Sequence, residues 1–225
     1  MSRQRPSTVD DGYMTHLNAR CNCLSHGVLI LLGLAPVPPA AYSGKHSSNN
    51  KLKPMLNDPN RVFDYLKSLH IHSKTIEHPA VFTVEESKAL RGKIDGAHVK
   101  NLFLKDKKSN LFLISALEDT KIDLKTIHDV IGGQGRVSFC SADQLWEHLG
   151  VEPGSVTPLS VLNDTEKRVK AILDERLMAY DTINVHPLVN TMTTSIARDD
   201  LVRFMTETGH KPLIIKVGEP SPLKD

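Results

Sequence analysis

Lys100 and Asn101 stand side by side in the stretch GAHVKNLFLKDKK, residues 96–108. A lysine and a carboxamide at the head of a hydrophobic run could serve an ester. The ammonium would neutralise charge on a phosphate or carbonyl oxygen. The carboxamide both donates and accepts hydrogen bonds. The ordinary alternative is a strand-end lysine whose head reaches water. A second stretch, LGVEPGSVTPL at 149–159, sets Gly154 and Ser155 in a turn ahead of Val156, Thr157 and Pro158. The backbone N–H groups of such a turn can cradle an anion or a carbonyl oxygen, with Ser155 or Thr157 adding a hydroxyl. A plain loop between helix and strand is the alternative. Ser155 does not read as a nucleophile, because it lacks the G-x-S-x-G context and no Ser-His-Asp arrangement is evident. A third stretch, NVHPLVNTMTTS at 184–195, holds His186 extended ahead of Pro187. Asn190, Thr191, Thr193 and Thr194 follow. This polar set either wraps a turn with its own hydrogen bonds or forms the wall of a pocket for an aminoacyl group.

Other reactive residue types fall out. His70, His72 and His78 are loosely spaced like metal ligands, but no Cys or acidic partner completes a set, so they read as surface histidines. The glycines of IGGQG, 131–135, end a helix instead of opening one, which argues against a phosphate loop. Cys140 reads as a small packed hydrophobe. No metal or other cofactor is expected.

The elements that must position these residues are legible from periodicity. Residues 97–106 and 110–117 form two strands joined by the polar turn KDKKSN, a hairpin. Alternation sends Val99, Asn101, Phe103 and Lys105 to one face and His98, Lys100, Leu102 and Leu104 to the other. Asp58 and Pro59 start a helix, with Val62, Phe63, Leu66 and Leu69 on its inner face. Thr83 and Glu86 form a capping box for a short helix, as do Ser141 and Gln144 for a second one ended by Gly150. DLKTIHDVI closes at Gly132 and Gly133, and ARDDLVRFMTETG at Gly209. KTIEH, RVSF, TPLSVL, RVKAILD, TINV and PLIIKV read as strands or strand edges. Helices and strands mix without strict alternation, which predicts an α+β fold with helices packed on a mixed sheet.

The chain of 225 residues has a net charge of +2, so it is not a general polyanion binder. Charge is nevertheless segregated. Between Lys88 and Lys125 nine basic residues face five acidic ones, which suits a local contact with an RNA end as well as a solvated hairpin tip. Three cysteines make no disulfide framework and fit a reducing compartment, which favours the cytoplasm. VLILLGLAPV at 28–37 is too short to span a bilayer. Its long flank of mixed charge is unlike a signal peptide, and Asp10 and Asp11 argue against a mitochondrial transit peptide. Residues 35–54 are rich in Pro, Ser, Gly, Asn and Lys and read as a linker. The expected organisation is an N-terminal extension over 1–56, a folded domain over 57–217 and a tail over 218–225.

Each of the three stretches is weak alone. Taken in order with HPAVFTVEE at 78–86, they resemble the aminoacyl-tRNA editing family that includes YbaK and the prolyl-tRNA synthetase insertion domain. The nearest branch resembles the freestanding Ala-tRNA(Pro) deacylases (ProX, PrdX, ProXp-ala) and the animal prolyl-tRNA synthetase associated domain-containing proteins. The resemblance covers roughly 57–217. It implies a mixed, curved sheet and hydrolysis of the ester joining alanine to the terminal adenosine of proline tRNA. It also implies a metal-independent reaction without a protein nucleophile, helped by the vicinal 2′-hydroxyl and a held water. Partners would be the tRNA acceptor end and prolyl-tRNA synthetase. By the same resemblance Lys100, Ser155 and His186 form the catalytic set. Asn101, Gly154, Val156, Thr157, Pro158, Pro187, Asn190 and Thr191 line the substrate, and Lys105, Lys107 and Lys108 attract the acceptor stem. Met192 and Leu159 depart from common family residues and bear on pocket volume. Two other readings stand beside this one: a non-catalytic tRNA- or synthetase-binding module, and a deacylase for serine or cysteine.

Overall fold

The computed structural model describes residues 56–80 and 94–220. The first element, α1 (Pro59–Ser68), starts where the sequence places it, with the Asp58 carboxylate accepting from the Asn60 N–H at 3.0 Å. It buries Val62 and Leu66. The strands are β1 (Ser73–Glu77), β2 (Ala97–Lys105), β3 (Leu111–Leu117), β4 (Thr120–Lys121), β5 (Ser138–Phe139), β6 (Val169–Asp174), β7 (Thr182–Val185), β8 (Met192–Ala197), β9 (Leu213–Ile215) and β10 (Glu219–Pro220). Among the described residues the remaining α-helices are α2 (Ile127–Ile131), α3 (Ala142–Leu149) and α4 (Arg198–Glu207), with 3-10 helices at Pro158–Asn163 and Glu175–Ala179. The capping box at Ser141 and Gln144 is present, with Gly150 in the left-handed conformation at the far end of α3. The helix expected after Thr83 lies outside the described residues.

The main sheet runs β1-β8-β7-β2-β3-β6-β9, with β5 added to β2. Parallel pairs (β2 with β7, β3 with β6, β6 with β9) mix with antiparallel ones. This is the mixed α+β sheet that the pattern of elements predicts. β3 is buried along its whole length, as its apolar run requires. Its two faces feed two clusters. Leu111, Leu113 and Leu117 join the larger core with α1, α3 and α4, while Phe112, Ile114 and Ala116 join a smaller one under α2.

Two expectations need revision. TPLSVL is no strand. Pro158–Asn163 forms a 3-10 helix, capped by the Thr157 hydroxyl accepting from Leu159 N–H. Pro158 at the first helical position and Thr157 before it are helix-start residues, and here they outweigh the β-branched content. Nor does the ordered fold stop at 217, because Glu219 and Pro220 pair with β4.

Two features of β2 decide which of its side chains can work together. First, its register with β3 runs unbroken from Val99–Leu117 to Lys105–Leu111. There is no bulge, so the strict alternation of side chains holds. Second, its other edge is split. β7 covers only Ala97 and His98, and β5 only Leu104 and Lys105. Among the described residues no strand pairs with this edge of β2 in between.

The β2–β3 turn is organised by Asp106, not by its lysines. The buried Asp106 carboxylate accepts from the N–H groups of Lys108 and Asn110, the Asn110 side chain and the N–H of Gln134, at 2.7–2.9 Å. Burial alone would raise its pKa, but the four donors outweigh it and hold it at about 2. A folded-state pKa below the unfolded value stabilises the fold above about pH 4, and that contribution is lost as pH falls toward 2. Asp106→Asn is therefore expected to lower Tm at pH 7 and to flatten the dependence of Tm on pH between 4 and 2. Unchanged acid dependence in the variant would count against this.

Candidate active site

Asn101 lies on the face of β2 that carries Phe103 into the larger core. Its Nδ2 donates to the carbonyl of Val156 at 2.8 Å. Its Oδ1 accepts from the Ser115 hydroxyl at 2.6 Å. Ser115 is its direct partner across the β2–β3 ladder and is only 1% exposed. Because a serine hydroxyl donates to Oδ1, the amide can face the loop only with its NH2 group. The sheet thus grips the turn after α3 through one oriented side chain.

That turn, Gly154–Pro158, is the second component. Ser155 is buried and its N–H donates to the Glu152 carbonyl at 3.0 Å. Thr157 is buried, and its carbonyl accepts from the Ser160 hydroxyl at 2.6 Å. Pro158 and Leu159 are buried as well, Leu159 in the core. Gly154 has φ +90°, a conformation that favours glycine, and a Cβ there would lie 3.6 Å from the Asn190 amide nitrogen. The turn therefore sits beside the loop that connects β7 to β8.

The third component is that loop, residues 186–191. His186 Nδ1 lies 2.9 Å from the Met192 carbonyl. A carbonyl only accepts, so Nδ1 carries the proton and Nε2 of the neutral ring is an acceptor. No described residue hydrogen-bonds that Nε2. Burial pushes the His186 pKa below the usual histidine value, the Met192 bond opposes this, and His78 lowers it further. Pro187 and Leu188 are buried, and Leu188 takes a left-handed φ of 69° that a branched side chain seldom adopts. Thr191 presents its carbonyl to the N–H of His78 at 2.9 Å.

Two members of this group escape the sequence reading. His78 is not a bare surface histidine. Its Nδ1 donates to the Pro79 carbonyl at 2.8 Å, and its Nε2 accepts from the Thr193 hydroxyl at 2.9 Å, which ties the exit of β1 to the β7–β8 hairpin. Ser115 looks like an ordinary strand residue. Only its register partner, Asn101, could have pointed to it.

Lys100 is placed apart. It stands on the opposite face of β2, and its ammonium donates to the Thr120 carbonyl. Burial lowers its pKa, while Asp119 and Asp174 pull it back up. Beside it Arg176 makes a two-pronged contact with Asp119 and donates to the Thr120 hydroxyl, which in turn donates to buried Asp174. The structure therefore brings together Asn101, the Gly154–Pro158 turn and Asn190, whose loop also carries His186, and sets Lys100 on the opposite face of β2. Of the tip lysines, Lys105 donates to Gln144 at 2.9 Å, and Lys107 and Lys108 are exposed. Among the described residues no three His, Cys, Asp or Glu side chains converge to hold a metal ion.

Comparison with known proteins places this constellation. A model of the aminoacyl-tRNA editing domain matches residues 78–204, which include every component of the site. Prolyl-tRNA synthetase associated domain-containing protein 1 of Danio rerio is 40% identical over 154 residues, covering 68% of this chain and 83% of its own. Prolyl-tRNA editing protein ProX of Acetoanaerobium sticklandii is 37% identical over 150 residues, covering 66% and 91%. The fold also matches the crystal structure of a candidate trans-editing enzyme for prolyl tRNA synthetase, with TM-score 0.57 and 21% identity over 72% of this chain and 96% of that one. With these oriented polar groups inside the matched region, and relatives similar over most of their length, the chain belongs to the aminoacyl-tRNA editing domain family.

Proposed function

We propose that this chain is a freestanding editing enzyme that hydrolyses the ester between alanine and the terminal adenosine of mischarged tRNA(Pro). The class, an aminoacyl-tRNA deacylase, comes with the family. The observation that supports the finer reading is that the Asn101-held turn stands beside Asn190, in the same loop that carries His186 with its unbonded Nε2. In this reading the ester carbonyl sits against the turn's remaining N–H groups, those of Gly154, Val156 and Thr157, which stabilise negative charge as it develops on the oxygen. His186 Nε2 accepts a hydrogen bond from the attacking water. Water adds to the carbonyl carbon, the bond to the ribose oxygen breaks, and that oxygen takes up a proton, with the neighbouring 2′-hydroxyl assisting. Ser155 lends backbone and bulk; the bond of its own N–H to Glu152 marks it as part of the turn. Asn190 and Met192 narrow the pocket. A methylene distinguishes substrates by only about 1–3 kcal/mol, so steric exclusion of the proline ring must add to affinity.

Lys100 takes a different part. From the far face of β2, beside the Thr120 carbonyl, its ammonium can meet a phosphate of the bound RNA. Prolyl-tRNA synthetase, named in the relatives, is a partner that would deliver such a substrate.

The test is the deacylation rate of Ala-tRNA(Pro), with Pro-tRNA(Pro), Ser-tRNA and Cys-tRNA alongside. Loss of alanine with proline spared is the expected result. Lys100→Ala should lower kcat/KM at least about tenfold and reduce its salt dependence. Rates at the uncatalysed level on every substrate would leave a tRNA-binding module in place of an enzyme.

A further inference from the structure

Phe139 is the most exposed of the large apolar side chains among the described residues, at 57%. It is carried by β5, whose pairing sets Phe139 opposite Leu104 and Ser138 opposite Lys105. Paired residues share a face, so Phe139 stands on the Leu104 face, the same one that carries Lys100. Lys100 and Leu104 are four residue steps apart along the strand, about 13 Å. The reason for the exposure is local. Val137, two residues earlier, packs on the smaller core, and the sheet ends there.

The surroundings are cationic and polar. Arg136 is exposed beside the strand. The methylenes of Lys107 lie over Gly135, with Cδ 3.0 Å from where a Cβ would stand. Asp106, the acidic residue of this tip, is occupied by its four donors. Ser138 and Ser141, one residue before and two residues after Phe139, are exposed. One aromatic face among cations and hydroxyls suits a base with a phosphate on either side better than an apolar protein surface.

We propose that Phe139 is a stacking platform for an unpaired base of the RNA 3′ tail, with the adjoining phosphates held by Arg136 and Lys107. The inference rests on the editing function proposed for this chain. It adds a contact outside the ester pocket that serves binding and not the chemical step.

The experiment uses an alanylated RNA minihelix with a single-stranded 3′ end, and the same RNA uncharged with 2-aminopurine at each unpaired position upstream of the terminal adenosine. Phe139→Ala should raise KM about tenfold or more with kcat unchanged, and Phe139→Trp should restore it. Phe139→Leu keeps an apolar side chain but no π face and should behave like alanine. The wild-type protein should quench the fluorescence of one labelled position, and Phe139→Ala should not. Wild-type KM and quenching in Phe139→Ala or Phe139→Leu would overturn the platform while leaving the editing reading intact. An inactive wild type that still quenches through Phe139 would sink the hydrolysis and keep the platform.

Discussion

Asn101→Ala is expected to lower kcat for alanyl-ester hydrolysis by about 100-fold. The variant removes the side chain that connects the sheet with the Val156 carbonyl. It also strips the buried Ser115 hydroxyl of its acceptor, which costs about 1–3 kcal/mol. A turn freed by even about 1 Å presents its N–H groups to the wrong point, and a displacement of that size costs about 100-fold in rate. Asn101→Asp separates the two effects. A carboxylate still accepts from Ser115 but sets a negative charge against the Val156 carbonyl, so stability should suffer less than activity. A kcat near wild type in Asn101→Asp, measured under single-turnover conditions, would show that the turn needs no such tether.

His186 provides the second large effect. His186→Ala should lower kcat about 100-fold or more, the range expected of a positioned proton acceptor. His186→Asn is the sharper variant, because its Nδ2 can still donate to the Met192 carbonyl while nothing replaces Nε2. Equal losses in the two variants would assign the effect to Nε2. Full activity in His186→Asn would assign it to the loop. The pH dependence follows from the direction of the shift. The neutral ring is the active form, and burial lowers the pKa, so the acid limb of the wild-type rate should lie below that of an ordinary histidine. His78 is the titratable neighbour that depresses the pKa further, so His78→Gln should move this limb toward higher pH.

Much of this was legible in the sequence, for identifiable reasons. The hairpin of β2 and β3 follows from two apolar runs and a polar turn, and the caps at Asp58, Ser141 and Gly150 from side-chain and backbone chemistry that acts within a few residues. The opposite orientation of Lys100 and Asn101 follows from the pleat alone, once no bulge intervenes. Long-range partners were hidden. Nothing near Ser115 says that residue 101 is its neighbour, and nothing near His78 announces Thr193. Thr157-Pro158 misled in another way. Its β-branched neighbours suggested a strand, while the cap and the proline started a 3-10 helix.

The hairpin tip carries a consequence for how this surface can change over time. Asp106 shapes the tip through three backbone N–H groups and the Asn110 amide. None of these depends on the side chains at 107 and 108. Those two positions are free to gain or lose charge without reshaping the loop that presents them. Affinity for a polyanion can therefore drift, or be engineered, independently of fold stability, so long as the aspartate and the asparagine four residues on stay in place.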